Sequence, residues 1–100
     1  MKRSNYRVLS YYKDDETSTE CYISIINATS RTEIESYYYN CTDLDYEILS
    51  ETECKSKRDF QNAGSILFEG ERFYNIEGPD TFYENLLDLL YHTYGITAND

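Results

Sequence analysis

Asp43-Leu44-Asp45-Tyr46-Glu47-Ile48 alternates acidic and apolar side chains with period two. Successive side chains of a strand point to opposite faces. The stretch therefore predicts a β-strand that turns Leu44, Tyr46 and Ile48 to a core and Asp43, Asp45 and Glu47 to solvent. Glu51 and Glu53 carry the acidic run further along the chain.

Toward the N-terminus, Tyr6-Arg7-Val8-Leu9-Ser10-Tyr11-Tyr12 and Cys21-Tyr22-Ile23-Ser24-Ile25-Ile26 are rich in β-branched and aromatic residues and read as two strands. The wholly polar Lys13–Glu20 between them suits a hairpin loop whose tip carries Asp14, Asp15 and Glu16. Residues 31–41 read two ways. Ser30 and Glu33 have the spacing of a capping box, and Ile34, Tyr37, Tyr38 and Cys41 follow helical spacing. The run Tyr37-Tyr38-Tyr39 favours a strand instead, and the sequence leaves helix and strand equally open.

Toward the C-terminus, Cys54–Asn62 suits a short helix closed by Gly64. Ser65–Phe68 and Arg72–Ile76 flank Glu69-Gly70-Glu71, which predicts a second hairpin on a three-residue loop. From Pro79 to Tyr94 the pattern is helical. Phe82, Leu86, Leu89 and Leu90 share one face, Glu84 and Asp88 lie four apart on another, and Pro79 and Gly95 serve as start and stop signals. Asp80, near the start, is favoured by the helix dipole. The expected architecture is α+β, a mostly antiparallel β-sheet built from hairpins and covered by a C-terminal α-helix. The 100 residues suit a single acidic domain with one core, and they show no repeat, linker or low-complexity segment.

Composition restricts the partners. Forty per cent hydrophobic and 28 % charged residues suit a folded chain, although the mean hydropathy of -0.71 leans polar. Nineteen acids against nine bases give a net charge of -10, which repels nucleic-acid phosphates and anionic lipid. A general nucleic-acid or membrane binder is thereby disfavoured. The charge is also segregated: residues 14–53 hold eleven acids and only Arg31 in return, whereas residues 1–13 hold four bases and no acid. Twelve tyrosines accompany no tryptophan. Each buried phenol needs a hydrogen-bond partner, so some tyrosines must lie at the surface, including one of Tyr11 and Tyr12 and at least one of Tyr37, Tyr38 and Tyr39.

The charged N-terminal residues lead into no apolar leader core, because Lys13-Asp14-Asp15-Glu16 interrupts, and no apolar run approaches membrane-spanning length. A soluble, cytoplasmic chain is expected. Cys21, Cys41 and Cys54 are odd in number and lack C-x-x-C spacing, which predicts reduced, mostly buried thiols rather than disulfides or a zinc site. His92 is the lone histidine, expected near a helix end. Asp14, Asp15 and Glu16 lack calcium-loop spacing, and no glycine-rich phosphate loop is present. The reading is of a chain that is not an enzyme and holds no metal or cofactor.

Acids on alternate strand positions lie about 6.7 Å apart, on the scale of polynucleotide phosphates. Such a row would steer a basic cleft toward it, with tyrosines as anchors. The expected partner-binding set is Asp14, Asp15, Glu16, Tyr37, Tyr39, Asp43, Asp45, Glu47, Glu51 and Glu53. In size, acidity and lack of a catalytic motif the chain is similar to phage anti-defence proteins, such as anti-CRISPR and anti-restriction inhibitors. It is likewise similar to immunity proteins that neutralise toxin nucleases. That likeness is one of composition. It implies a nucleic-acid-binding enzyme or effector complex as a basic protein partner, bound without direct contact to nucleic acid. The rival expectation is a structural or adaptor subunit that forms a homodimer or larger homo-oligomer through a Tyr-rich sheet.

Overall fold

Ser30 resolves the ambiguous segment. In the computed structural model, which describes residues 2–12, 20–74 and 81–94 and leaves the side chains of 81–83 undescribed, Ser30 is extended and its Oγ accepts the Glu33 N–H at 3.3 Å. The Glu33 carboxylate accepts the Thr29 N–H at 2.9 Å. The first bond satisfies a donor left over at the helix start, the second falls one residue short of the expected capping box, and helix α1 runs Arg31–Tyr39. The β preference of three consecutive tyrosines yields because Ile34 and Tyr38 bury themselves against the sheet.

Among the described residues the sheet has five strands in the order β3-β1-β2-β4-β5: β1 is Ser4–Tyr12, β2 Cys21–Ala28, β3 Leu44–Glu53, β4 Ser65–Phe68 and β5 Glu71–Tyr74. All pairings are antiparallel except β2 with β4. The fold is the expected α+β sheet with a C-terminal helix, α3, at Thr81–Thr93. A short helix, α2, spans Lys57–Asn62 and has a complete capping box between Ser56 and Asp59; its C-cap is Ala63, so it ends just before the expected Gly64.

Two cores lie on opposite sides of the sheet. Tyr6, Val8, Ile26, Ala28 and Leu67 meet Ile34 and Tyr38 of α1, with Leu44, Tyr46 and Ile48 packed at the margin. Ile66 meets Phe60 of α2 and Leu86, Leu87, Leu90 and Tyr91 of α3 on the other side. The sheet is therefore covered by helices on both faces, α1 having joined the C-terminal helix that was expected. Among the described residues no helix is long and apolar enough to cross a membrane.

Several expectations need correction. Leu89 is half exposed, and Leu87 and Tyr91 take its place on the buried face of α3. The second hairpin turns on Glu69-Gly70 alone, because Phe68 pairs with Glu71; both turn residues have positive φ, 51° and 81°, as a two-residue turn of the hairpin hand requires. Of the three cysteines, all free, only Cys54 is buried; Cys21 is exposed and Cys41 half-buried. Arg3, expected within a basic N-terminal segment, is 2 % exposed. The expected hairpin loop with Asp14, Asp15 and Glu16 lies outside the described residues, as do Asn75, Ile76, Pro79, Asp80 and Gly95 and the side chain of Phe82.

Candidate functional site

The acidic strand begins one residue later than expected, at Leu44, with Asp43 in the preceding turn. Leu44, Tyr46 and Ile48 do pack toward the core. Glu47 is exposed and Asp45 half-buried, its carboxylate accepting the N–H of Tyr46 at 3.0 Å.

The run does not continue as one row. Arg7 stands opposite Ser50 but Val8 opposite Ile48, so Leu49 is an extra residue, a β-bulge. Side-chain direction has period two, and one extra residue exchanges the faces of everything beyond it. Asp45 and Glu47, opposite Tyr11 and Leu9, share the face away from α1. Glu51 and Glu53, opposite Tyr6 and Ser4, stand on the α1 face.

The two groups of acids also differ in their partners. Tyr6 donates its hydroxyl to Glu51 at 3.1 Å, and Glu53 forms ion pairs with Lys2 at 3.2 Å and Lys55 at 3.9 Å. Burial pushes the Tyr6 phenol above its ordinary pKa, and the Glu51 carboxylate adds to the shift. Asp43, Asp45 and Glu47 form no ion pair with any described residue. Several bases meanwhile are turned away from them. Arg3 is buried, Arg72 lies over the rings of Tyr37 and Tyr74 at 5.3 and 4.8 Å, and Lys57 lies over Tyr91 at 5.4 Å.

The tyrosines divide as well. Tyr39 is 85 % exposed at the end of α1. Tyr37 is half-buried, accepts a hydrogen bond from Arg72 at 3.5 Å and packs edge-on against Tyr38. Burial pushes its phenol pKa up against the opposing pull of Arg72. The structure thus separates Tyr37 from Tyr39 and leaves both Tyr11 and Tyr12 exposed.

Between the C-terminal half of α1 and the start of β3 lies an open groove of about 720 Å³. Tyr38 and Tyr46, stacked at 4.7 Å with their planes 14° apart, line it together with Glu35, Tyr39 and Asp45. Burial, and then the charge of Glu35, pushes the Tyr46 phenol upward. The groove thus joins Tyr39 and Asp45 from the expected set. It adds Glu35, together with Tyr38 and Tyr46, which the local patterns marked for a helix face and a strand's core side but not for a site, because the site forms only when α1 crosses beside β3. Among the described residues no three His, Cys, Asp or Glu side chains gather as metal ligands.

No family model matches the chain, and no curated protein or solved structure matches it.

Proposed function

We propose that this chain is a small, acidic, non-catalytic inhibitor that binds and occludes a basic, nucleic-acid-interacting protein in the cytoplasm, in the manner of phage anti-defence or anti-CRISPR proteins. The observation that carries the reading is the start of β3 and the turn before it, where Asp43, Asp45 and Glu47 stand without an ion pair to any described residue while Glu51 and Glu53 are satisfied from within. Unpaired surface carboxylates raise the association rate with a basic cleft and make it sensitive to salt. The strand spacing of Asp45 and Glu47, about 6.7 Å, supports mimicry of a phosphate backbone. Exposed Tyr39, which lines the groove with Asp45, supplies the aromatic surface that a lasting complex uses as an anchor. An immunity protein acting on a toxin nuclease would use the same surface.

A second reading rests on a different face. Tyr11, Ile23 and Ile25 are 39–55 % exposed on the side of the sheet away from α1, an apolar surface suited to a homodimer.

The test is capture of partners at low salt by wild type and by the Asp43→Lys, Asp45→Lys, Glu47→Lys variant. The inhibitor reading expects one basic nucleic-acid enzyme, bound stoichiometrically, with association slowed tenfold or more in the variant and the thermal melt nearly unchanged. Unchanged association defeats the acidic-surface reading. Recovery of the chain alone, as a salt-resistant dimer, supports the homodimer.

A further inference from the structure

The inference rests on the reading of β3 as a partner-binding surface and says how that surface engages. We infer that the open edge of β3 receives an extended basic segment of the partner as a sixth strand, with one of its long cationic side chains entering the groove beside Tyr39. β3 is the terminal strand, ten residues long, and β1 is its only described neighbour. Such an edge presents backbone N–H and C=O groups outward. Proteins commonly blunt it with lysine, proline, a bulge or a short strand. β3 contains neither lysine nor proline, and its bulge at Leu49 leaves Leu44–Ile48 in unbroken register with β1.

Charge selects the occupant. β3 carries four acids and no base, so edge pairing with a second copy would set carboxylates of one β3 beside those of the other, which is unfavourable. A strand bearing lysine or arginine at alternate positions meets Asp45 and Glu47 on one face. Its other face passes the groove, where Glu35 supplies charge and Tyr39 supplies a ring for a cation or its aliphatic stem. In strand addition the main-chain hydrogen bonds supply affinity, and pockets for alternate side chains supply specificity.

The test uses the full chain, isotope-labelled for NMR, and two synthetic decapeptides that alternate lysine and valine, with one central valine replaced by lysine so that a cation also faces the groove, and that differ only in N-methylation of every backbone amide. The charge is the same in both, but the methylated peptide cannot donate along either edge. Strand addition expects the unmodified peptide to slow amide exchange within residues 44–48 and shift Tyr39, and the methylated peptide to bind at least tenfold more weakly. Equal binding of both peptides overturns strand addition and leaves the acidic-surface reading standing. Failure of both to bind at low salt overturns the two together. Concentration-dependent protection of residues 44–48 without peptide means that a second copy occupies the edge, and this also overturns the inference.

Discussion

Arg3 donates its Nε–H to Asn27 Oδ1 at 2.6 Å, deep between β1, β2 and β4. The same guanidinium reaches the carbonyls of Asn27, at 3.3 Å, and Leu67, and it lies over the Tyr94 ring at 5.6 Å. Asn27 passes the connection on through its Nδ2 to Asn5 Oδ1 at 2.8 Å, and Asn5 donates to the carbonyl of Asp59 in α2 at 2.7 Å. One buried cation, held here by carbonyl oxygens and a ring, links one end of the β1–β2 pair to α2, β4 and Tyr94 just past α3. Arg3→Met removes the donors and strands those carbonyls, which should cost about 2–4 kcal/mol. Arg7→Met, on an exposed side chain, should stay within about 0.5 kcal/mol. Urea denaturation of the two variants decides the matter; equal stabilities would show that the Arg3 network contributes nothing.

The stack of Tyr38 on Tyr46 fastens α1 to the edge strand. Tyr38 is 4 % exposed, so Tyr38→Ala should cost about 3–5 kcal/mol through lost burial and a cavity. A double-mutant cycle with Tyr46→Ala should return a coupling of about 0.5–1.5 kcal/mol for the ring pair. Strict additivity would mean that the rings touch without attraction beyond their burial.

How much of this was legible depends on the range over which each signal acts. The strands of both hairpins and the period of β3 as far as Ile48 are local, written in adjacent side chains, and they appear as read, although the second turn is one residue shorter. Residues 31–41 carried local signals for two structures, and the distant Tyr6, Val8 and Ile26, by receiving Ile34 and Tyr38, side with the Ser30 cap. The bulge at Leu49 has no glycine and no turn residue to announce it. It is nonetheless the feature that divides the acids, because a single inserted residue reverses every later side chain. Leu89 and Leu87 exchanged roles because α3 buries the stripe that faces Phe60 and Ile66, and neither lies nearby in sequence. Nothing in the N-terminal sequence marks Arg3 for burial, because its oxygen partners come from β2 and β4.

Gly70 holds φ at +81° with no atom within 4 Å of where a Cβ would sit. The space is open and the backbone is not, so Gly70→Ala should cost about 1–2 kcal/mol through left-handed strain alone. Glu69, at φ 51°, pays a similar penalty already. Glu69→Asn, the residue such turns favour, should raise stability by up to about 1 kcal/mol. Thermal melts of both variants check the pair, and a neutral Gly70→Ala would contradict the two-residue turn.

Cys54 should make the fold sensitive to alkali. Burial pushes its thiol from an ordinary value of 9.0 up to about 11. Between those values the unfolded chain has released the proton and the folded chain still holds it. The unfolded state then binds fewer protons, so stability is present in full below about pH 9 and falls as pH rises toward 11. Tyr6 and Tyr37, both raised above 10.0 by burial, steepen the loss above pH 10. Denaturation midpoints measured from pH 8 to pH 11 should fall less for Cys54→Ala than for wild type; parallel curves would refute the role of the thiol. Alkylation gives a second check. At pH 8 about one Cys54 in a thousand is thiolate in the fold, so exposed Cys21 should react with iodoacetamide while Cys54 reacts only through unfolding. Labelling of both thiols at one rate in the native protein would place Cys54 outside the core.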